Sequence, residues 1–371
     1  ARRGAPPPGF APYVPIESRA AATASEAGRE RAETTVRVAM IGCGFIADHY
    51  ARSMERYPAL QVAGVADQNA ERAQHFATFH GFRAYRDVAE LLADRDVELI
   101  VNLTNPRSHH DVSKACLEAG KHVYSEKPLA MELGQARELV ELAEARGLGI
   151  SAAPCNLLGE CAQTLWKALR ENCVGRVRAV YAEMDDGPVY RMPYRRWLSE
   201  SGTPWPYEDE FDIGCTMEHA GYSLTLLTAF FGPARSVTAF SSLQVPEKLP
   251  GSTASGMAPD LSIAAIQLAS GVVARLTCSL MAPADHALRV IGDEGVLYTP
   301  DVWHYDAPVY SRRWITVRRR TLLSPWKTRH PKLSEPGRKL AHDDRHAAWR
   351  SSPRPLPPGA RVAYRRRSPC T

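Results

Sequence analysis

The sequence predicts an α/β protein in two parts: an N-terminal, doubly wound parallel sheet, then an α+β domain with an open, mainly antiparallel sheet. Three observations carry this. Short β-branched runs alternate with helical periods from Val36 to Ala153, the pattern of strands joined by crossover helices. A glycine turn, Gly42-Cys43-Gly44-Phe45-Ile46-Ala47, links the first strand to the first helix. From about Asn156 the texture changes to longer alternating runs separated by turn residues.

Taken in order, Val36 to Ile41 has the length and branching of a buried parallel strand. Phe45 to Tyr57 suits a helix, and Leu60 to Ala66 is a second strand. Helices follow at Asn69 to His80, broken by Gly81, and at Asp87 to Ala93. Val97 to Leu103 is a strand that Thr104-Asn105-Pro106 ends, because proline cannot continue a central ladder. Ser108 to Glu118 is a helix stopped at Gly120, and Lys121 to Tyr124 is a short strand. Helix Glu132 to Arg146 carries apolar residues at 136, 139, 140 and 143, and Leu148 to Ala153 closes this part. Beyond it, helix Glu160 to Arg170 leads into the runs Val177 to Met184, Val237 to Leu243 and Leu261 to Met281. Ser270-Gly271 interrupts the last as a hairpin signal, and Ala287 to Tyr298 turns at Asp293-Glu294-Gly295. The expected divisions are an extension at 1–35, a parallel-sheet domain at 36–154, a second domain at 155–340 and a tail at 341–371.

Composition narrows the function classes. The 371 residues, 44% hydrophobic and 23% charged, suffice for two globular cores. No apolar run approaches the ~20 residues of a membrane span. The extension is rich in Ala, Arg and Pro without a hydrophobic segment, so it reads as disordered and not as a secretory signal. Eight scattered cysteines without a CxxC pair point to a reducing cytoplasm and to no metal site. The net charge of +5 is carried by six Arg between 346 and 371, and the rest of the chain is at −1. A nucleic-acid-binding face is therefore not expected.

The glycine turn has a chemical reading. Gly42 would allow the tight turn, Gly44 would let a pyrophosphate approach the backbone, and Ala47 would let the helix pack on its strand. The anion would rest on N–H groups at the helix N-terminus, lined by Phe45 and Ile46. Asp67, 25 residues after Gly42, can accept both ribose hydroxyls and would repel a 2′-phosphate, which favours NAD over NADP. Its bland alternative is the N-cap of the helix that follows.

At this point the chain resembles the glucose–fructose oxidoreductase / inositol dehydrogenase family (Gfo/Idh/MocA). The resemblance runs from about Val36 to Leu340 and rests on GCGFIA at 42–47, TNPRSHH at 104–110, AGKHVYSEKPLA at 119–130 and EHAGYSLTLLTAFFG at 218–232. It implies an N-terminal Rossmann domain and an open-faced sheet that forms the substrate site. It also implies hydride transfer between a nicotinamide and a sugar, cyclitol or related small molecule, and homo-oligomers formed through that sheet.

The family's catalytic lysine maps onto Lys127, where a cation beside the reacting oxygen lowers its proton affinity. Glu126 and Pro128 would place it, and Thr104, Asn105, Pro106 and His110 would lie near the nicotinamide. The family's second catalytic segment is commonly Asp-x-Gly-x-His; here the matching residues are Glu218, Ala220 and Tyr222. We expect Tyr222 as acid/base, helped by Lys127 because a free phenol titrates at about 10, with Glu218 orienting the substrate. His219 is the alternative proton carrier. Met217, Ala220, Leu224, Leu227 and Phe231 would form the buried stripe of this helix. Asn156 matches a family asparagine at the entry to the second domain. Arg195, Arg196 and Trp197, in an irregular polar and aromatic stretch at 185–211, could hold an acidic substrate or form an oligomer contact.

Two functions follow. The first is an NAD-linked dehydrogenase or reductase. The second, kept open by the departure from the usual His and Asp, is a non-catalytic protein of the same fold that holds the cofactor as a binding or sensor module. Residues 346–371 show neither strand nor helix period and are dominated by Arg, Pro, Ser and Ala. They read as the product of a frameshift near Arg345, replacing an amphipathic closing helix.

Overall fold

The computed structural model describes residues 35–249 and 257–332. The extension before Thr35 and the tail assigned to a frameshift lie outside the described residues.

The first domain is a five-stranded sheet of β1 (Val36–Ile41), β2 (Leu60–Ala66), β3 (Leu99–Asn102), β4 (His122–Ser125) and β5 (Ile150–Ala152). The order is β2-β1-β3-β4-β5, with every neighbour parallel. The outermost position beside β2 is held by a single parallel bridge, Val65 to Ala84. Helices α1 (Ala47–Met54), α2 (Ala70–His80), α3 (Val88–Ala93), α4 (His109–Glu118) and α5 (Leu133–Arg146) connect the strands. Because strand side chains alternate, Val38 and Met40 pack with Ala47, Ala51 and Phe76 in one core. Ala39 and Ile41 pack with Leu91, Leu117 and Leu139 in another. Both faces are covered, which is why β1 reads as a continuous apolar run.

The second domain follows helix α6 (Glu160–Arg170). Its strands are β6 (Val177–Asp185), β7 (Ala234–Ser242), β8 (Leu261–Leu268), β9 (Val273–Ser279), β10 (Leu288–Gly292), β11 (Gly295–Thr299), β12 (Tyr310–Val317), β13 (Arg320–Leu323) and β14 (Thr328–Arg329). They run in the order β13-β12-β11-β10-β6-β9-β8-β7, with β14 beside β12. All pairs are antiparallel except β6 with β9. The strands after Tyr298 were not legible in the sequence, since Arg312, Arg313, Arg318, Arg319 and Arg320 mask the apolar alternation.

Helix α7 (Tyr207–Phe231) lies across one face of this sheet. Gly214 interrupts it at φ 82° and ψ 165°, a left-handed conformation open to glycine. A Cβ there would sit 2.5 Å from the Ala258 side chain. Of the expected stripe Ala220, Leu227 and Phe231 are buried, but Met217 is only partly so and Leu224 is exposed, while Tyr222, Ser223, Leu226 and Phe230 are buried as well. The interruption at Gly214 and contacts with β6, β8 and β9 set the helix rotation, which spacing alone cannot decide. Among the described residues the opposite face of the sheet is uncovered, with Phe240, Ile263, Val273 and Tyr181 exposed across β7, β8, β9 and β6.

Candidate active site

A cleft of about 450 Å³ runs between the two domains. One end is built on the turn after β1. The Gly42 N–H donates to the Ala66 carbonyl at 2.8 Å, and its φ of +102° is one that L side chains rarely adopt. A Cβ on Gly42 would stand 2.6 Å from the Leu103 carbonyl carbon and oxygen. Gly44 is the opposite case, with nothing within 4 Å of the Cβ position on the cleft side. Helix α1 begins here with Ile46 at its N-cap, whose side chain makes no cap hydrogen bond. A turn that only glycine fits, an open approach at Gly44 and a helix N-terminus without a side-chain cap together suit a dinucleotide pyrophosphate.

Asp67, at the end of β2, lines the same cleft and is nearly buried. It accepts the N–H groups of Cys43 and Asn69, each at 2.8 Å. Arg72 grips its two oxygens through Nε at 3.1 Å and Nη2 at 2.7 Å. Asp67 is not the cap of α2; Asn69 is, its side chain accepting from the Arg72 N–H at 3.0 Å. Arg72 is the residue that sequence reasoning missed at this end, although its place one turn into α2, facing Asp67, was readable as a cation.

The other end of the cleft is formed by the loops after β3 and β4. Thr104, Asn105, Pro106, Glu126 and Lys127 all line the cleft. His110 does not. It points away and pairs with Asp111 at 2.7 Å and Glu138 at 2.9 Å. His109 takes the inner place, its ring meeting the carbonyls of Pro128 at 2.6 Å and Thr104 at 3.0 Å. The 3₁₀ turn at Pro106–Ser108 rotates the start of α4 by a step the sequence did not announce.

Glu126 is buried and accepts the Tyr50 hydroxyl at 2.6 Å and the Lys127 N–H at 3.0 Å. That fixes the backbone from which Lys127 projects. The Lys127 ammonium forms an ion pair with Glu218 of α7. Burial alone would lower the lysine, but Glu218 and Tyr222 facing it hold it well above the ordinary amine range, so it stays cationic. Tyr222, one turn along α7, stacks on Trp303 with ring centroids 4.8 Å apart. His219 also lines the cleft, and burial pushes its imidazole below the usual value despite Asp186 nearby. Glu210 lines the same space, its carboxyl raised well above the usual range by burial and by Glu218.

Asn156 lies behind this site. Its Nδ2 donates to the Tyr222 carbonyl at 3.0 Å, clamping α7. Arg195, Arg196 and Trp197 do not line the cleft; the arginines are exposed and Arg195 stacks over Tyr194 and Tyr207. From the stretch 185–211 the residues that do reach the cleft are Asp186, Asp209, Glu210 and the run Thr203, Pro204, Trp205 and Pro206. That run follows the loop carrying Glu200 and Ser201, which a polar latch holds onto the first domain. Asp48 of α1 accepts the Ser201 N–H at 3.1 Å and its hydroxyl at 2.8 Å, and also meets His80 at 2.6 Å. His75 meets the Ser201 carbonyl at 2.8 Å, and Arg52 donates through Nε to Glu200 at 2.8 Å. Among the described residues no helix is long and apolar enough to cross a membrane.

Comparison with known proteins adds the following. Residues 36–153 match a model described as an oxidoreductase family with an NAD-binding Rossmann fold. Residues 162–298 match the GFO/IDH/MocA C-terminal domain. A trans-1,2-dihydrobenzene-1,2-diol dehydrogenase from Bos taurus is 27% identical over 266 residues, 70% of this chain and 73% of that protein. Two solved structures share the fold. A 3-ketoreductase from Actinomadura kijaniata, in complex with TDP-benzene and NADP, is 21% identical with a TM-score of 0.63, covering 80% of this chain and 84% of its own. A UDP-N-acetylglucosamine 3-dehydrogenase from Acidithiobacillus ferrooxidans is 23% identical with a TM-score of 0.59, covering 78% and 82%.

Proposed function

Because the chain belongs to the Gfo/Idh/MocA oxidoreductase family, we propose that it interconverts a secondary alcohol and a carbonyl on a sugar, cyclitol or related small molecule, with NAD preferred over NADP. It is an NAD(P)-dependent dehydrogenase or reductase acting on CH–OH groups. The observation that carries the substrate reading is the Lys127–Glu218 pair, with Tyr222 one turn further along α7, in a cleft continuous with the glycine turn.

When bound, the nicotinamide supplies the hydride acceptor or donor. The chain supplies the rest. Lys127, kept cationic by Glu218, faces the reacting oxygen and lowers its proton affinity. Tyr222 takes the hydroxyl proton on oxidation and returns it on reduction. Glu218 orients Lys127, and through it the substrate oxygen, while Asn156 holds the helix that carries both Glu218 and Tyr222. Trp205 and Trp303 give the substrate end apolar walls. Gly42, Gly44, Phe45, Ile46 and the α1 N-terminus would hold the pyrophosphate, and Asp67 the adenosine ribose. Asp67 supports NAD; Arg72, clamped on it, tempers the preference by supplying a positive charge.

The exposed row of Phe240, Ile263, Val273 and Tyr181 supports assembly of two copies through the open sheet face. The seven free cysteines among the described residues suit a reducing cytoplasm. Initial rates with NADH fluorescence, on a panel of polyols and the matching ketones with both cofactors, test the reading. Turnover that Lys127→Met abolishes while cofactor still binds supports it. Saturable cofactor binding without turnover of any substrate in the panel points to the sensor alternative.

A further inference from the structure

Behind the substrate end lies a buried ionic line that the reading above does not use. Asp186, just past the end of β6, lines the cleft beside Glu218, His219 and Tyr222. Its Oδ1 is 3.6 Å from His286 Nε2 and its Oδ2 is 3.8 Å from His219 Nε2. Both separations are ion-pair contacts longer than a direct hydrogen bond. His286 Nε2 is buried with no hydrogen-bond partner among the described residues. On the other side of that ring, Nδ1 lies 3.7 Å from Asp301. Asp301 is anchored by the N–H groups of Trp303 at 2.7 Å and His304 at 3.0 Å, and by the His304 ring at 2.6 Å. Trp303 then covers His286 with ring centroids 4.6 Å apart, on the same indole that Tyr222 stacks against.

We propose that Asp186 is a substrate-binding residue that grips a second hydroxyl, next to the one being oxidised, and that His286 is the positioning residue that fixes it. The proposal rests on the dehydrogenase reading above and adds to it the residues that select the hydroxyl beside the reacting one. A carboxylate that lines a cleft with its facing imidazoles 3.6 and 3.8 Å away keeps acceptor sites open to a ligand hydroxyl. A site built to bond a hydroxyl rejects the analogue that lacks it, because the buried acceptor is then left unpaired.

The charge arrangement agrees with this. Burial works against the His286 cation, but Asp186 and Asp301 on either side outweigh it and raise the imidazole to about 9. The other groups near it are His219 from α7, which opposes the charge, and Asp185 and Asp285, which bridge β6 to the loop before β10. His286 is thus cationic at neutral pH and holds Asp186 toward the cleft. Raising the pH through about 9 would remove that hold.

The test uses cyclohexanol and trans-1,2-cyclohexanediol as probes, with the wild type, Asp186→Asn and His286→Gln. The wild type is expected to prefer the diol roughly tenfold to a hundredfold in kcat/KM. Asp186→Asn should erase most of that preference through KM, with kcat changed far less. His286→Gln should raise the diol KM at neutral pH and abolish its alkaline rise. An unchanged preference in Asp186→Asn overturns the substrate contact. A His286→Gln protein that melts earlier but keeps the wild-type pH profile overturns the positioning role. Histidine NMR titration of the cofactor-free protein gives a readout independent of activity: His286 should titrate well above 6.5 in the wild type and lower in Asp186→Asn. If no alcohol is turned over, the dehydrogenase reading fails, and an unshifted His286 in Asp186→Asn still overturns the positioning role by itself.

Discussion

Substituting the two glycines of the first turn should separate fold from cofactor binding. In Gly42→Ala the new methyl group stands 2.6 Å from the Leu103 carbonyl and 2.8 Å from the Thr104 nitrogen. Neither neighbour can yield cheaply. The Leu103 N–H is bonded to the Ile41 carbonyl at 2.8 Å, and the Gly42 N–H to the Ala66 carbonyl at 2.8 Å, so moving either strains β1, β2 or β3. Adopting a φ of +102° adds roughly 1–3 kcal/mol of backbone strain. A total loss of about 2–5 kcal/mol follows, within the range of severe single substitutions. For a chain of this size that lowers the midpoint by roughly 4–20 °C, at about 2–4 °C per kcal/mol. In Gly44→Ala the methyl group meets nothing within 4 Å, so stability should stay within about 0.5 kcal/mol, while the methyl occupies the pyrophosphate's approach. Thermal denaturation by circular dichroism, paired with NADH fluorescence titration, reads both effects. A Gly42→Ala protein as stable as the wild type would refute the close-approach argument. A Gly44→Ala protein that binds NADH normally would refute the assignment of this turn to the pyrophosphate.

Other outcomes are expected from the same geometry. Lys127→Met should reduce turnover by roughly 10²–10⁴ with cofactor binding intact, and Tyr222→Phe similarly; an inactive His219→Ala beside an active Tyr222→Phe would make the histidine the proton carrier. Asp67→Ala should shrink the preference for NAD and Arg72→Ala should widen it, measured as the ratio of kcat/KM for the two cofactors; a wild type that uses NADP at least as well as NAD refutes the ribose assignment. Asp48→Asn, which weakens the latch on Ser201 and His80, should cost about 1–3 kcal/mol in a denaturant titration. His286 is raised from 6.5 to about 9 in the folded chain, so its contribution is fully present below 6.5 and is lost as pH rises through 9. That loss is at most roughly 3 kcal/mol, and the alkaline fall in melting temperature should be reduced in Asp301→Asn.

What the sequence determined by itself was local. β-Branched runs, helical periods and glycine stops at Gly81, Gly120 and Gly147 mark the parallel domain, because each depends on residues a few positions apart. The Gly42 turn was readable for the same reason: a strand feeding a helix through glycines has few steric solutions. Lys127 stood out because Glu126-Lys127-Pro128 at a strand end resembles the family's motif. Tertiary structure decided whatever depends on rotation or on distant partners. It chose His109 over His110, set the buried stripe of α7, and put Arg72 on Asp67. It also drew Asp186, His286 and Trp303 together from more than 100 residues of chain. A lone aspartate after a strand or a histidine before one has no period and no spacing rule. Its role arises only when sheet packing brings it against another carboxylate, ring or cleft, and that placement is a property of the whole fold.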